Sequence, residues 1–147
     1  MSATVADEVK YAEAASRLRI AIARLARQLR QESHGGLSLS QWSALVTIEE
    51  NEPVRIGDLA EREGVSAPTA TRVVATLEDD GLLSRTSNPA DRRTAYVALT
   101  PLGREKLEWA RNVRTASLAQ RLAGLPDVDV DRLLELVSVL ESFVSTP

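Results

Sequence analysis

The chain contains no cysteine. That absence removes disulfides, thiolate metal sites and cysteine redox chemistry at once. It has a single histidine, His34, too little for a histidine-built zinc site, so no metal is expected. Aromatic residues make up only 3% of its 147 residues. A core must therefore come from Ala, Leu and Val, a composition that favours helices. No run approaches the roughly 20 apolar residues that span a bilayer. Met1–Tyr11 carries Asp7 and Glu8 without an apolar stretch, unlike a secretory leader. The expectation is a cytoplasmic protein with no membrane partner. Also missing are a Gly-rich phosphate loop, a Ser/His/Asp pattern and a recognisable carboxylate pair, so neither an enzyme nor a cofactor is expected.

What is present describes a globular chain. Apolar residues reach 44% and charged residues 27%, and 147 residues can bury a core without staples. The net charge of −3 argues against a general polyanion binder. It leaves room for a specific one, which needs only local positive charge.

Ala6–Glu32 carries apolar residues every three or four positions (Val9, Ala12, Ala15, Leu18, Ile22, Leu25, Leu29), the period of a long helix. His34-Gly35-Gly36 ends it and leaves His34 in solvent. Ser38 followed by Gln41 forms a capping box for a second helix, with Trp42, Leu45, Val46 and Ile48 on its apolar side. A short third helix covers Ile56–Glu63 and stops at Gly64. Ser66 then caps a fourth helix with Pro68 in its first turn, where a missing N–H costs nothing. This helix reaches Asp80, with Val65, Val73, Val74 and Leu77 inward. Glu78-Asp79-Asp80 reads as a solvated acidic end.

The period then changes. Leu82–Ser87 and Thr94–Leu99 alternate as strands around a basic tip, Asn88–Arg93. Thr100-Pro101 opens a fifth helix to about Ala123, and Gly124-Leu125-Pro126 breaks it. Asp127–Ser145 is the last helix, with Val130, Leu133, Leu134, Val137, Leu140 and Val144 on one side. The order is α1-α2-α3-α4-β-β-α5-α6: mainly α with a small β-hairpin.

Two short helices joined through Gly64 fit a helix-turn-helix, whose second helix enters the major groove N-terminus first. That helix exposes Ser66, Ala67, Thr69, Ala70, Thr71 and Arg72. Small hydroxyl residues allow close approach, and Arg72 presents a planar fork of donors to guanine or phosphate. A plain solvated face is the alternative. An arginine on a narrow hairpin, Arg92 or Arg93, can reach the negative potential of a minor groove. An ordinary soluble turn is the alternative there.

Several segments together resemble the MarR family of winged-helix regulators. IGDLAEREG (56–64) is similar to its supporting helix. VSAPTATRVVATLEDDGLLSR (65–85) resembles its recognition helix and the start of its wing. DRRTAYVALT (91–100) resembles its wing signature, and TPLGREKL (100–107) the opening of the next helix. The resemblance covers roughly residues 18–143. It implies a winged helix-turn-helix over residues 37–100, with dimerisation helices in residues 1–36 and 101–147. It places Ser66, Ala67, Pro68, Thr69, Thr71 and Arg72 at the major groove. In the wing it makes Asp91 and Arg93 the pair, with Arg93 at the minor groove and Arg92 at a phosphate. The implied function is a homodimeric, sequence-specific regulator of transcription that binds double-stranded DNA. It would act as a repressor on a pseudo-palindromic operator and be released by a small aromatic or anionic ligand. Tyr11, Trp42 and Trp109 are the candidate ligand-pocket residues, with core or interface packing as their alternative. A winged-helix protein-interaction module without operator binding is the competing function.

Overall fold

The structure is a computed structural model. It describes residues 5–88 and 90–144, with side chains except at positions 5, 6, 88 and 91–93. Helix α1 spans Val5–Ser33, α2 Leu39–Asn51, α3 Ile56–Glu63, α4 Ala67–Asp79, α5 Pro101–Leu122 and α6 Asp127–Val144. Three strands, β1 (Val54–Arg55), β2 (Leu83–Asn88) and β3 (Asp91–Leu99), form one antiparallel sheet in the order β1-β3-β2.

The helix boundaries follow from their caps. Ser38 accepts the Gln41 N–H while the Gln41 side chain accepts the Ser38 N–H, a complete capping box. Ser66 accepts the Thr69 N–H, and Thr100 accepts that of Gly103. Each satisfies a donor the first helical turn cannot pair internally. Gly64 ends α3 at φ 64°, a left-handed conformation that costs glycine nothing. It sets the bend between α3 and α4.

The core lies in the middle of the chain. Leu45 and Ile48 of α2, Leu59 of α3, Val74 and Leu77 of α4, Val97 of β3 and Leu107 of α5 are essentially inaccessible to solvent. Burial of each such side chain contributes about 1.5–3 kcal/mol. Gly103 is required where α5 meets the sheet: a Cβ there would collide with the Leu82 carbonyl oxygen.

The structure differs from the sequence expectations at several points. Strand β1 is additional to the two strands expected: two residues carry no alternation, and β1 exists only because Val54 and Arg55 pair with Val97 and Tyr96. The hairpin tip is shorter than Asn88–Arg93, since β3 already begins at Asp91. Ala70 is buried, not exposed, and Val65 is half exposed, not inward. The helix begins at Ala67, so Val65 precedes it and does not share its inward face. The acidic end of α4 is not simply solvated, because Glu78 pairs with Arg85.

The end helices differ from the core. Helix α1 packs along α5, yet Val9, Tyr11, Leu18, Ile20, Ile22 and Leu25 remain exposed. Helix α6 has no buried residue. Among the described residues, no helix is long and apolar enough to cross a membrane.

Candidate nucleic-acid interface

Helix α4 is held from behind and open in front. Ala70, Val74 and Leu77 anchor it in the core, while Ser66, Ala67, Pro68, Thr71 and Arg72 face solvent and Thr69 is half-buried. Its hydroxyls are largely committed. Ser66 and Thr69 oxygens lie 2.9 Å apart, Thr71 donates to the Ala67 carbonyl at 2.8 Å and Thr76 to that of Arg72 at 3.1 Å. Arg72 is therefore the strongest donor left on this face, and among the described residues it has no ion-pair partner.

The hairpin stands beside this helix. Arg85 of β2 reaches back to α4, with Nε and Nη2 donating to one Glu78 oxygen at 3.2 and 2.7 Å. Arg55 of β1 donates from Nε to the Tyr96 hydroxyl at 3.1 Å, its guanidinium 5.5 Å from the Tyr96 ring. The backbone of Asp91, Arg92 and Arg93 lies in β3; their side chains are outside the described residues.

A second site lies where α1 meets α2. Arg27, Arg30, Gln31, His34, Leu39 and Trp42 line a cavity of about 300 Å³. Trp42 is buried, and the Arg114 guanidinium of α5 stacks 4.8 Å from its ring. Arg114 Nε donates to the buried Ser33 hydroxyl at 2.6 Å, and Ser33 donates onward to the Leu29 carbonyl. Arg114 Nη2 is buried and has no hydrogen-bond partner among the described residues. Burial, then the nearby charges of Arg30 and Arg111, push the Arg114 guanidinium below its ordinary pKa. A positive group so placed favours an anion beside it.

The structure does not gather the three aromatic candidates into one pocket. Trp42 lines the α1–α2 cavity. Trp109 is exposed on α5 in a shallow groove with Leu102, Glu105 and Lys106, its ring 5.5 Å from the Lys106 ammonium. Tyr11 is exposed on α1. His34 is exposed, as expected, but it lines the cavity. Arg27, Arg30 and Arg114 carry no ligand signal in the sequence. They come from two distant helices, and no local motif announces them.

The order of elements, the capped α3–α4 pair and the adjoining hairpin define a winged helix-turn-helix. Residues 37–95 match the model of the MarR family. An uncharacterised HTH-type transcriptional regulator of Mycobacterium bovis is 39% identical over 134 residues, 90% of this chain and 94% of that protein. The crystal structure of transcriptional regulator Tm0710 from Thermotoga maritima is 28% identical, covers 90% of this chain and 99% of its own, and superposes with a TM-score of 0.74. A mutant of MepR from S. aureus, bound to an oligodeoxyribonucleotide, shares the fold at 15% identity and a TM-score of 0.71, over 89% of this chain and 97% of its own. The chain belongs to the MarR family of helix-turn-helix transcriptional regulators.

Proposed function

We propose that the chain is a homodimeric repressor that binds a pseudo-palindromic operator in duplex DNA and is released by a small aromatic or anionic ligand. The observation that carries the DNA-binding reading is the outer face of α4. It is rigidly backed by Ala70, Val74 and Leu77, open at Ala67, Pro68, Thr71 and Arg72, and adjacent to the hairpin. Arg72 supplies a bidentate fork for a guanine edge. Ser66, Ala67, Pro68, Thr69 and Thr71 fit the groove around it. Arg93, the partner of Asp91 in the wing signature, is the residue assigned to the flanking minor groove, and Arg92 to a phosphate. The DNA-bound MepR relative in fold supports this reading.

The dimer reading rests on α1 and α6. Leu133, Leu134, Leu136, Val137, Val139, Phe143 and Val144 are exposed on one 18-residue helix. An apolar surface of this extent marks an interface, and a second copy supplies the matching one by two-fold symmetry. Residues 1–36 and 101–147 then form the dimer region and 37–100 the DNA-binding region. Leu107 and Ala110 of α5 nevertheless belong to the core of the latter.

The ligand reading rests on the cavity between α1 and α2, with Trp42 as its aromatic wall and Arg27 and Arg30 as its cations. A ligand that fits one arrangement of the two regions better than another shifts the population away from the DNA-competent form.

A gel shift tests the function, using a duplex the protein selects from a randomised library. Retardation of that duplex, reversed by a simple aromatic carboxylate such as benzoate, is expected. No preference over random DNA would favour a protein-interaction module instead.

A further inference from the structure

Arg114 of α5 touches two further helices at once. Its guanidinium lies 4.8 Å from the Trp42 ring of α2. Its Nε donates at 2.6 Å to the buried hydroxyl of Ser33, the last residue of α1. Trp42 lines the α1–α2 cavity and Arg114 does not. The indole therefore stands between the cavity and the guanidinium. We propose that Arg114 is a positioning residue that couples occupancy of this cavity to the DNA-binding lobe through the Trp42 ring. The inference rests on the ligand reading and supplies the means by which that site acts on α4.

The contact is held against opposition. Arg114 Nη2 is buried, and no acceptor among the described residues meets it. A buried donor left unpaired destabilises the arrangement that buries it. Burial also disfavours the charge itself, and the like charges of Arg30 and Arg111 add to this. One hydrogen bond to α1 and one stack on α2 hold the group in place. A change in the spacing of α1 and α2 must therefore stretch one of the two. A displaced ring exposes Nη2 to water, which satisfies the donor and lowers the cost of leaving the present arrangement. A ligand that presses on the ring from the cavity has that much less to supply.

Displacement of the ring reaches α4 through α2. Leu45 and Ile48 of the same helix are fully buried, and α2 packs directly on α3 and α4. Leu107 and Ala110, on the segment of α5 that precedes Arg114, belong to the same core. A close-packed core transmits strain, since it has no free volume to absorb a shift.

The test measures coupling in the full chain, with benzoate as the probe and a duplex selected by the wild type. Fluorescence anisotropy reads DNA affinity with and without saturating benzoate, and calorimetry reads benzoate binding. Wild type should lose about tenfold in DNA affinity, within the usual range of coupling between sites. Arg114→Met keeps much of the side chain's length and removes its donors. Ser33→Ala removes the tether to α1, and neither residue lines the cavity. Both variants should still bind benzoate, yet lose less than about threefold in DNA affinity. Arg27→Gln, on the lining, should weaken benzoate binding and keep the full loss at saturation. A full loss in both Arg114→Met and Ser33→Ala would overturn the proposal. So would absence of benzoate binding in Arg114→Met, which would make Arg114 a ligand contact. A second readout needs no ligand. In a Trp109→Phe background Trp42 is the one tryptophan left. Its quenching by acrylamide should fall in Arg114→Met, because no unpaired donor then favours the displaced ring. Unchanged or greater quenching would show that Arg114 merely supports the ring, and would overturn the proposal. Benzoate without effect on the wild-type complex would overturn the ligand reading, while the quenching result still decides what Arg114 does to the ring. Circular dichroism confirms that each variant is folded.

Discussion

The winged-helix lobe and the terminal helices use similar apolar side chains to opposite ends. In the lobe, Leu45, Ile48, Leu77 and Val97 are completely buried. In α1 and α6, Ile22, Leu133, Val137 and Phe143 are between 39% and 65% exposed. The lobe buries its own hydrophobic surface, and the terminal helices leave theirs exposed. On the proposed dimer, the same amphipathic period marks a core in one region and an interface in the other.

The sharpest way to break this comparison is on α6. Leu133→Glu together with Val137→Glu should weaken self-association by about 4 kcal/mol or more, roughly a thousandfold. Sedimentation equilibrium reads this, and the lobe should keep its fold. In contrast, Leu77→Ala should destabilise the lobe by about 2–5 kcal/mol in chemical denaturation, through lost burial and the cavity left behind. Arg72→Ala and Arg93→Ala should leave stability and self-association intact and each weaken binding to a selected duplex by about 1–3 kcal/mol. Unchanged affinity in Arg93→Ala would sink the wing assignment.

The smallest effect concerns the α1–α5 seam within the terminal segments. Glu32 of α1 accepts from Ser117 and Arg121 of α5. The Ser117 hydrogen bond and then the Arg121 charge outweigh desolvation and hold its carboxyl below the ordinary carboxylate range. A depressed pKa stabilises the folded form above the unfolded-state pKa, and the gain is lost as pH falls through the folded value. Amide exchange along the α1–α5 seam should quicken on acidification through that range. Glu32→Gln should remove this component of the pH dependence. Because Glu32 is exposed, the change should be small.

Much of the lobe was legible in the sequence because its signals are local. Ser38 with Gln41, Ser66 with Pro68, and Thr100 with Pro101 each mark a helix start within four residues. Strand β1 was not legible, since its two residues become a strand only through pairing with β3. Ala70 was legible in principle, since it lies four and seven residues before Val74 and Leu77 on the same inward face, whereas Val65 precedes the Ser66 cap and is not on that face. The α1–α2 cavity escaped for a different reason. Arg27, Arg30, His34, Trp42 and Arg114 converge only after α1 packs on α5, and nothing in their spacing predicts it.

The division of labour between lobe and terminal helices is tested most directly by the mass of the DNA complex in sedimentation velocity, on a selected duplex and on its scrambled counterpart. Two chains are expected on one selected duplex, with recognition helices about one helical turn apart, and no complex with the scrambled sequence at the same concentration. One chain per duplex, or equal binding to both sequences, would contradict it.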